Sequence, residues 1–218
     1  MAPAVRPLIM LMKKNFVRCS LIAFTSMLVW SFCSPAPRAE ATEKGRRIVE
    51  GARKSLAARP YYDPRYVRLK YPGGDPGKSI GVCTDIVVRA YRHIGIDLQK
   101  RLHRDMRRNW RRYRTRRIYR QTKPDYNIDH RRVNNLVDFF RRHGRSLPLS
   151  IRGAHARTWK PGDIAVFDLH GNGGMTHIGI VSDKLSSSGV PLVIHHLPDY
   201  PREDNALEEL KIIGHYRY

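Results

Sequence analysis

The sequence predicts an α+β protein in which helices come first and antiparallel strands follow. Three observations carry this. Between residues 43 and 143, apolar side chains recur at three- and four-residue intervals, as on one face of a helix. From residue 163 onward the texture changes to short runs of Ile, Val and Phe separated by glycine-rich turns. No internal repeat links the halves, so helices and strands are segregated rather than alternating.

Residues 43–59 read as a helix, with Ile48, Val49, Ala52 and Leu56 on one side and Arg or Lys elsewhere; Pro60 stops it. Tyr61-Tyr62-Asp63-Pro64 is a turn, and residues 66–69 are a short extended segment. A turn-rich approach then runs into Gly81-Val82-Cys83-Thr84-Asp85, where an amphipathic helix begins. Ile86, Ala90 and Ile94 share its face, and Gly95 ends it.

Leu98, Leu102, Met106 and Trp110, spaced by four, place a further helix from about Asp97. Residues 100–120 hold ten arginines and one lysine against a single acid, Asp105. Trp110, Tyr113 and Tyr119 are interleaved with them, a pattern shared by stacking surfaces for nucleic acid and by solvated cationic faces. Thr122-Lys123-Pro124-Asp125 is a boundary. The next helix runs to about His143, with Asp129 as N-cap, Val133, Leu136, Val137 and Phe140 inward, and Gly144 closing it. Trp159-Lys160-Pro161-Gly162 is a tight turn. Strands are expected over residues 163–168, 176–181 and 192–195, with a last one over 210–218.

The first 41 residues are a different kind of sequence. Arg6, Lys13, Lys14 and Arg18 precede an apolar run from Cys19 to Cys33, and Ser34-Pro35-Ala36-Pro37 breaks any helix. Ala39-Glu40-Ala41 offers small residues where a signal peptidase reads, so residues 1–41 form a secretory signal by pattern. The apolar run is short against the ~20 residues of a spanning helix; an uncleaved anchor is the alternative. A periplasmic or secreted protein is expected after cleavage near Ala41, with residues 42–218 as a single domain.

Export changes how charge and cysteine read. Residues 42–218 carry 36 Lys plus Arg against 18 Asp plus Glu, a formal +18, which draws anionic partners. In an exported chain these are anionic envelope polymers or lipids rather than nucleic acid. Cys19 and Cys33 leave with the signal, so Cys83 is the sole remaining thiol, with no partner for an internal disulfide. A lone thiol in an oxidising compartment is a liability unless it is buried or used. At a helix N-terminus it meets unpaired N–H groups and the positive end of the helix dipole, which favour thiolate. A buried core cysteine is the alternative.

A cysteine nucleophile needs a base, and the base needs a third group to set its tautomer. His177 begins a strand just after a glycine-rich loop, and Gly179 on the same face leaves room beside its imidazole. His195 and His196 lie one strand later on opposite faces, within cross-strand reach of ~5 Å. Satisfied half-buried histidines, or a metal held by His177, His195 and His196, are the competing readings. No Cys-x-x-Cys or His-Glu-x-x-His pattern accompanies them.

Gly81-Val82-Cys83-Thr84-Asp85, Trp159-Lys160-Pro161-Gly162-Asp163 and Thr176-His177-Ile178-Gly179-Ile180-Val181 together resemble the three blocks of the NlpC-type cell-wall hydrolases, papain-like cysteine peptidases and amidases acting on peptidoglycan. Asn127-Ile128-Asp129-His130-Arg131-Arg132 and the closing Gly214-His215-Tyr216-Arg217-Tyr218 resemble a bacterial branch of that superfamily catalogued as a domain of unknown function. The resemblance covers residues 44–218. It implies a small antiparallel sheet packed on the nucleophile helix, with residues 97–120 as an Arg-rich helical insertion. It places the nucleophile on Cys83, the base on His177 and the third polar residue on His195. The branch carries asparagine where this chain has His196, which leaves open which histidine orients His177. Tyr62 and Tyr66 are implied substrate contacts, with Asp85 and His196 beside them. The implied activity is amide hydrolysis in peptidoglycan peptides by a monomer that needs no cofactor. An acyltransferase using the same thiolate, or a non-catalytic envelope-binding module, are the alternatives.

Overall fold

The helix that Cys83 opens lies at the centre of the packing. The computed structural model describes residues 42–218; the expected signal segment lies outside the described residues. Helix α1 spans Glu43–Ala57 and is capped by Thr42, whose hydroxyl accepts from the Gly45 N–H at 3.1 Å. Its Ile48, Val49, Gly51 and Ala52 are buried against α2, Cys83–His93. A Cβ on Gly51 would lie 2.6 Å from Cβ of His93 and 3.0 Å from Cα of Ala90, so the two helices can approach this closely only because Gly51 has no side chain.

Helix α3 spans Leu98–Asn109, with the Asp97 carboxylate capping it by accepting from the Lys100 N–H at 3.1 Å. Leu98, Leu102 and Met106 are fully buried in the main core, so this arginine-rich stretch is anchored by its apolar face. The expected helix ran through Trp110. The observed one ends at Asn109, and Trp110 starts a 3₁₀ turn, Trp110–Arg112. Tyr113 is drawn into the core instead, its hydroxyl donating to Asp105 at 2.6 Å. A four-residue α4, Thr115–Ile118, follows.

Asp129 does not cap the next helix. Its carboxylate accepts from the Asp125 N–H at 2.5 Å and from Nε2 of Gln121 at 3.0 Å, which folds the preceding loop back on itself. Asp129–Arg131 is a 3₁₀ turn, and α5 is Val133–His143.

The strands are β1 (Tyr61–Tyr62), β2 (Ile80–Gly81), β3 (Arg145–Ser146), β4 (Ile164–Asp168), β5 (His177–Leu185), β6 (Pro191–His196), β7 (Pro201–Asp204) and β8 (Lys211–Arg217). A short helix α6, Ala206–Glu209, lies between β7 and β8. Strands β3 to β8 form one antiparallel sheet in the order β3-β8-β4-β5-β6-β7, and the architecture is α+β. Ile164, Val166, Ile178, Ile180 and Ile194 share a core with α1, α2, α3 and α5; Ala165, Phe167, Val181 and Val193 pack with Trp159 and Leu207 in a second cluster.

Two local readings change. Tyr61-Tyr62, expected in a turn, pairs in parallel with Ile80-Gly81, whereas residues 66–69 form no strand. Strand β7 begins on Pro201, which an edge strand tolerates because its outer N–H groups need no partner. At the other edge the C-terminal motif is locked by Asp163. That buried carboxylate accepts from Nε of Arg217 at 2.6 Å and from Nε2 of His215 at 2.8 Å, and His215 stacks on Trp159 with centroids 3.6 Å apart.

Candidate active site

Cys83 is the first residue of α2, and the start of that helix is built by Asp85. Oδ2 of Asp85 accepts from the Val82 N–H at 2.8 Å, which satisfies a helix-end donor and fixes the entry of the chain. Asp85 is 2 % exposed, and Arg131 pairs with it at 3.1 Å. The same guanidinium donates to the carbonyls of Asp63 at 2.8 Å and Arg65 at 3.0 Å. Asp85, expected among the substrate contacts, is thus committed to scaffolding. It ties the segment after Tyr62 to the start of α2.

The thiol is 4 % exposed. The backbone N–H groups of Ile178, and of Thr84 and Cys83 in the first helical turn, lie where they favour its thiolate. Burial nevertheless dominates, pushing the Cys83 thiol up to about 12. The expectation that the helix terminus alone would favour thiolate is reversed at this buried position, because desolvation outweighs the three N–H groups.

His177 starts β5 opposite Phe167 on β4. Its Nε2 lies 2.8 Å from Nδ1 of His195, and Nε2 of His195 lies 2.8 Å from Oδ1 of Asp204. The sheet register explains this chain of contacts. His195 stands opposite Gly179, two residues beyond His177, and Asp204 stands opposite Val193, two residues before His195. Each contact is a diagonal cross-strand pair on one face. Gly179 makes the first diagonal fit, since a Cβ there would lie 3.0 Å from Cβ of His195 and 2.5 Å from Cγ1 of Val193. The space expected beside Gly179 for a helix or substrate is filled by these cross-strand side chains.

His195, not His196, therefore orients His177. His196 packs edge-on against the ring of Tyr62, with centroids 5.1 Å apart. Tyr62 shares a cleft of about 550 Å³ with Cys83, Tyr119, Arg132, Met175 and Thr176. Burial pushes the Tyr62 phenol up to about 12, with Cys83, once ionised, and the Asp85 carboxylate adding to the effect. Tyr66 lies elsewhere. It is 55 % exposed and its hydroxyl donates to Asp125 at 3.0 Å while accepting from Asn127 at 2.9 Å. A second cleft of about 900 Å³, between α1, α2 and the loop before β2, contains none of the expected site residues, and the Arg89 and Arg92 guanidiniums in its wall are paired with Asp75.

Burial holds His177 down at about 3, with His195 adding to the effect and Asp204 opposing it. The resting pair is thus a thiol and a neutral imidazole, with no hydrogen bond between them among the described residues. Catalytic contacts of this kind commonly tighten only when substrate is bound. Among the described residues, no three His, Cys, Asp or Glu side chains are grouped to hold a metal ion.

Burial also lowers His130 to about 3. Both rings stay neutral in the folded chain and protonate in the unfolded one below about pH 6.5. Their stabilising contribution is complete above that pH and is lost as pH falls from 6.5 toward 3. Thermal midpoints should fall steadily across this window, and His130→Gln should flatten the slope; a midpoint constant from pH 7 to 4 would contradict the burial argument.

Asp204, Arg131 and Arg132 were missed in the sequence. Asp204 lies in an edge strand of mixed polarity, Pro-Arg-Glu-Asp, with no apolar alternation to reveal it. The two arginines lay in a motif singled out only by resemblance.

The family described as "Domain of unknown function (DUF1287)" matches residues 49–218. "Uncharacterized protein YijF" of Escherichia coli (strain K12) is 39% identical over 209 residues, covering 95% of this chain and 98% of that protein. No solved structure matches the chain. With the family match spanning most of its length, the chain belongs to the DUF1287 family.

Proposed function

We propose that this protein is an exported cysteine peptidase or amidase that hydrolyses amide bonds in peptidoglycan peptides, on a papain-like, NlpC-type fold. One observation carries the reading. A thiol at a helix start, surrounded by backbone N–H groups, sits against the strand whose His177 is hydrogen-bonded to His195 at 2.8 Å. In the mechanism this supports, the Cys83 proton moves to His177 as Sγ attacks the amide carbonyl. Backbone N–H groups at the helix start, that of Cys83 among them, stabilise the oxyanion, each worth ~3 kcal/mol. His177 then protonates the leaving amine, and water hydrolyses the thioester. No step calls on a cofactor.

The cleft wall carries Arg131, Arg132, Asn134 and Thr176, a polarity that suits a peptide better than an acyl chain. Arg131 is engaged by Asp85. Arg132 stacks on Tyr119 at 4.0 Å and bonds Gln121 and Thr115 through Nη1, and as a cation in the wall of the cleft that Cys83 also lines it suits a carboxylate of a stem peptide. On α3, Arg104, Arg107 and Arg108 surround a surface concavity and would hold the enzyme against anionic envelope polymers or lipids.

Digestion of purified sacculi followed by mass spectrometry tests the reading, because the new terminus names the bond cut. Absence of any released peptide would end it. Association with the envelope should weaken steeply with salt, as exposed cations are screened over ~10 Å at 0.1 M; salt-insensitive sedimentation with sacculi would assign the arginines another purpose.

A further inference from the structure

We infer that Asp204 is a positioning residue which, acting through His195, holds His177 in the tautomer whose free lone pair is on Nδ1. The inference rests on the reading of Cys83 and His177 as nucleophile and base, and adds a member that no sequence motif supplied.

Donors and acceptors along the line His177–His195–Asp204 set the tautomers. An ionised carboxylate can only accept. Burial works against ionisation of Asp204, but the His195 hydrogen bond and the nearby Arg202, at 3.7 Å, more than offset it, and its pKa lies below the ordinary carboxylate value. Nε2 of His195, at 2.8 Å, must therefore donate to Oδ1 of Asp204. When His195 is a neutral imidazole, one nitrogen donates and the other accepts, so its Nδ1 is then an acceptor. Nε2 of His177, 2.8 Å away, must then be the donor. Neutral His177 is left with its lone pair on Nδ1, so that is the atom able to take the Cys83 proton.

The charge acts in the same direction as the tautomer. When Nδ1 of His177 takes the proton the ring becomes cationic, and its Nε2–H already points at an acceptor backed by a carboxylate. His177 and His195 are 2 % and 1 % exposed, so this ordering takes place where water cannot substitute for a missing partner. Without Asp204, His195 is free to place its proton on Nδ1. Facing that donor, His177 would have to accept at Nε2 and carry its own proton on Nδ1, the wrong atom for a base.

Long-range ¹H–¹⁵N NMR of the purified protein labelled in histidine reads the tautomers directly. In the unsubstituted protein both His177 and His195 should be protonated on Nε2. In Asp204→Ala both rings should move to mixed tautomers, and kcat on sacculus peptides should fall about 10- to 100-fold with KM within about twofold. Asp204→Asn, whose amide oxygen can still accept, should keep the tautomers and recover part of the rate. A purely structural role would leave the tautomers unchanged in any folded variant. His177 protonated on Nδ1 in the unsubstituted protein, or tautomers unmoved in Asp204→Ala, overturns the inference. If Asp204→Ala does not fold, the unsubstituted spectrum and Asp204→Asn still decide it. Tautomers as expected in a protein that releases nothing from sacculi would leave Asp204's role standing and remove the hydrolase reading.

Discussion

Cys83→Ala should release no peptide from purified sacculi, a loss of at least ~10⁴-fold in kcat/KM, while the fold persists. Both halves follow from the site. The proposed mechanism has one nucleophile, the Cys83 sulfur, which lies beside the backbone N–H groups of Ile178, Cys83 and Thr84. The structural cost is small because the change removes a single sulfur from a position that is 4 % exposed but lies at the edge of the cleft. Circular dichroism and a thermal midpoint close to that of the unsubstituted protein should accompany the lost activity. Undiminished digestion would remove Cys83 from the mechanism. The resting thiol offers a second check. With its pKa pushed up to about 12 by burial, alkylation by iodoacetamide at pH 8 should be slower than for an exposed cysteine, and a substrate-like peptide that opens the site should speed it. Fast alkylation of the protein alone would show that thiolate is already present.

Asp85→Ala should have the largest effect on stability, about 3–5 kcal/mol and a thermal midpoint lower by about 10 °C. The size comes from what is left behind rather than from the pair itself. The Arg131 side chain is 1 % exposed and donates to both oxygens of Asp85 as well as to the carbonyls of Asp63 and Arg65. Losing Asp85 strands a buried cation and at the same time frees the Val82 N–H at the helix start. The loss should also reach the cleft, because Arg131 holds the chain just after Tyr62. Asp85→Ala/Arg131→Met should recover much of the stability by removing the unpaired charge. Chemical denaturation of the four members of this cycle measures the coupling; a single variant destabilised by less than about 1 kcal/mol would show that water reaches Arg131.

The four longer helices and the four longer sheet strands were legible in the sequence because their signals are local. Apolar spacing marked α1, α2, α3 and α5, and alternation or short apolar runs marked β4, β5, β6 and β8. Elements whose reason is a distant partner were not legible. Strand β1 exists because Gly81 and Ser79 accept the N–H groups of Asp63 and Tyr61, and β7 exists because it borders β6; neither has a pattern of its own. Asp129 shows the same limit at a helix end. It has the right chemistry for an N-cap, but Gln121 and the Asp125 backbone claim its oxygens first.

The sequence by itself determined the class, a cysteine at a helix start, and a histidine at the head of a strand two residues before a glycine. These depend on residue type and spacing, and spacing survives without coordinates. Tertiary structure alone decided which of two adjacent histidines turns toward His177, that Asp85 braces the helix instead of meeting substrate, and that Asp204 completes the line. Those outcomes are set by sheet register and by competition for buried hydrogen bonds, neither of which exists until strands distant in the chain lie side by side.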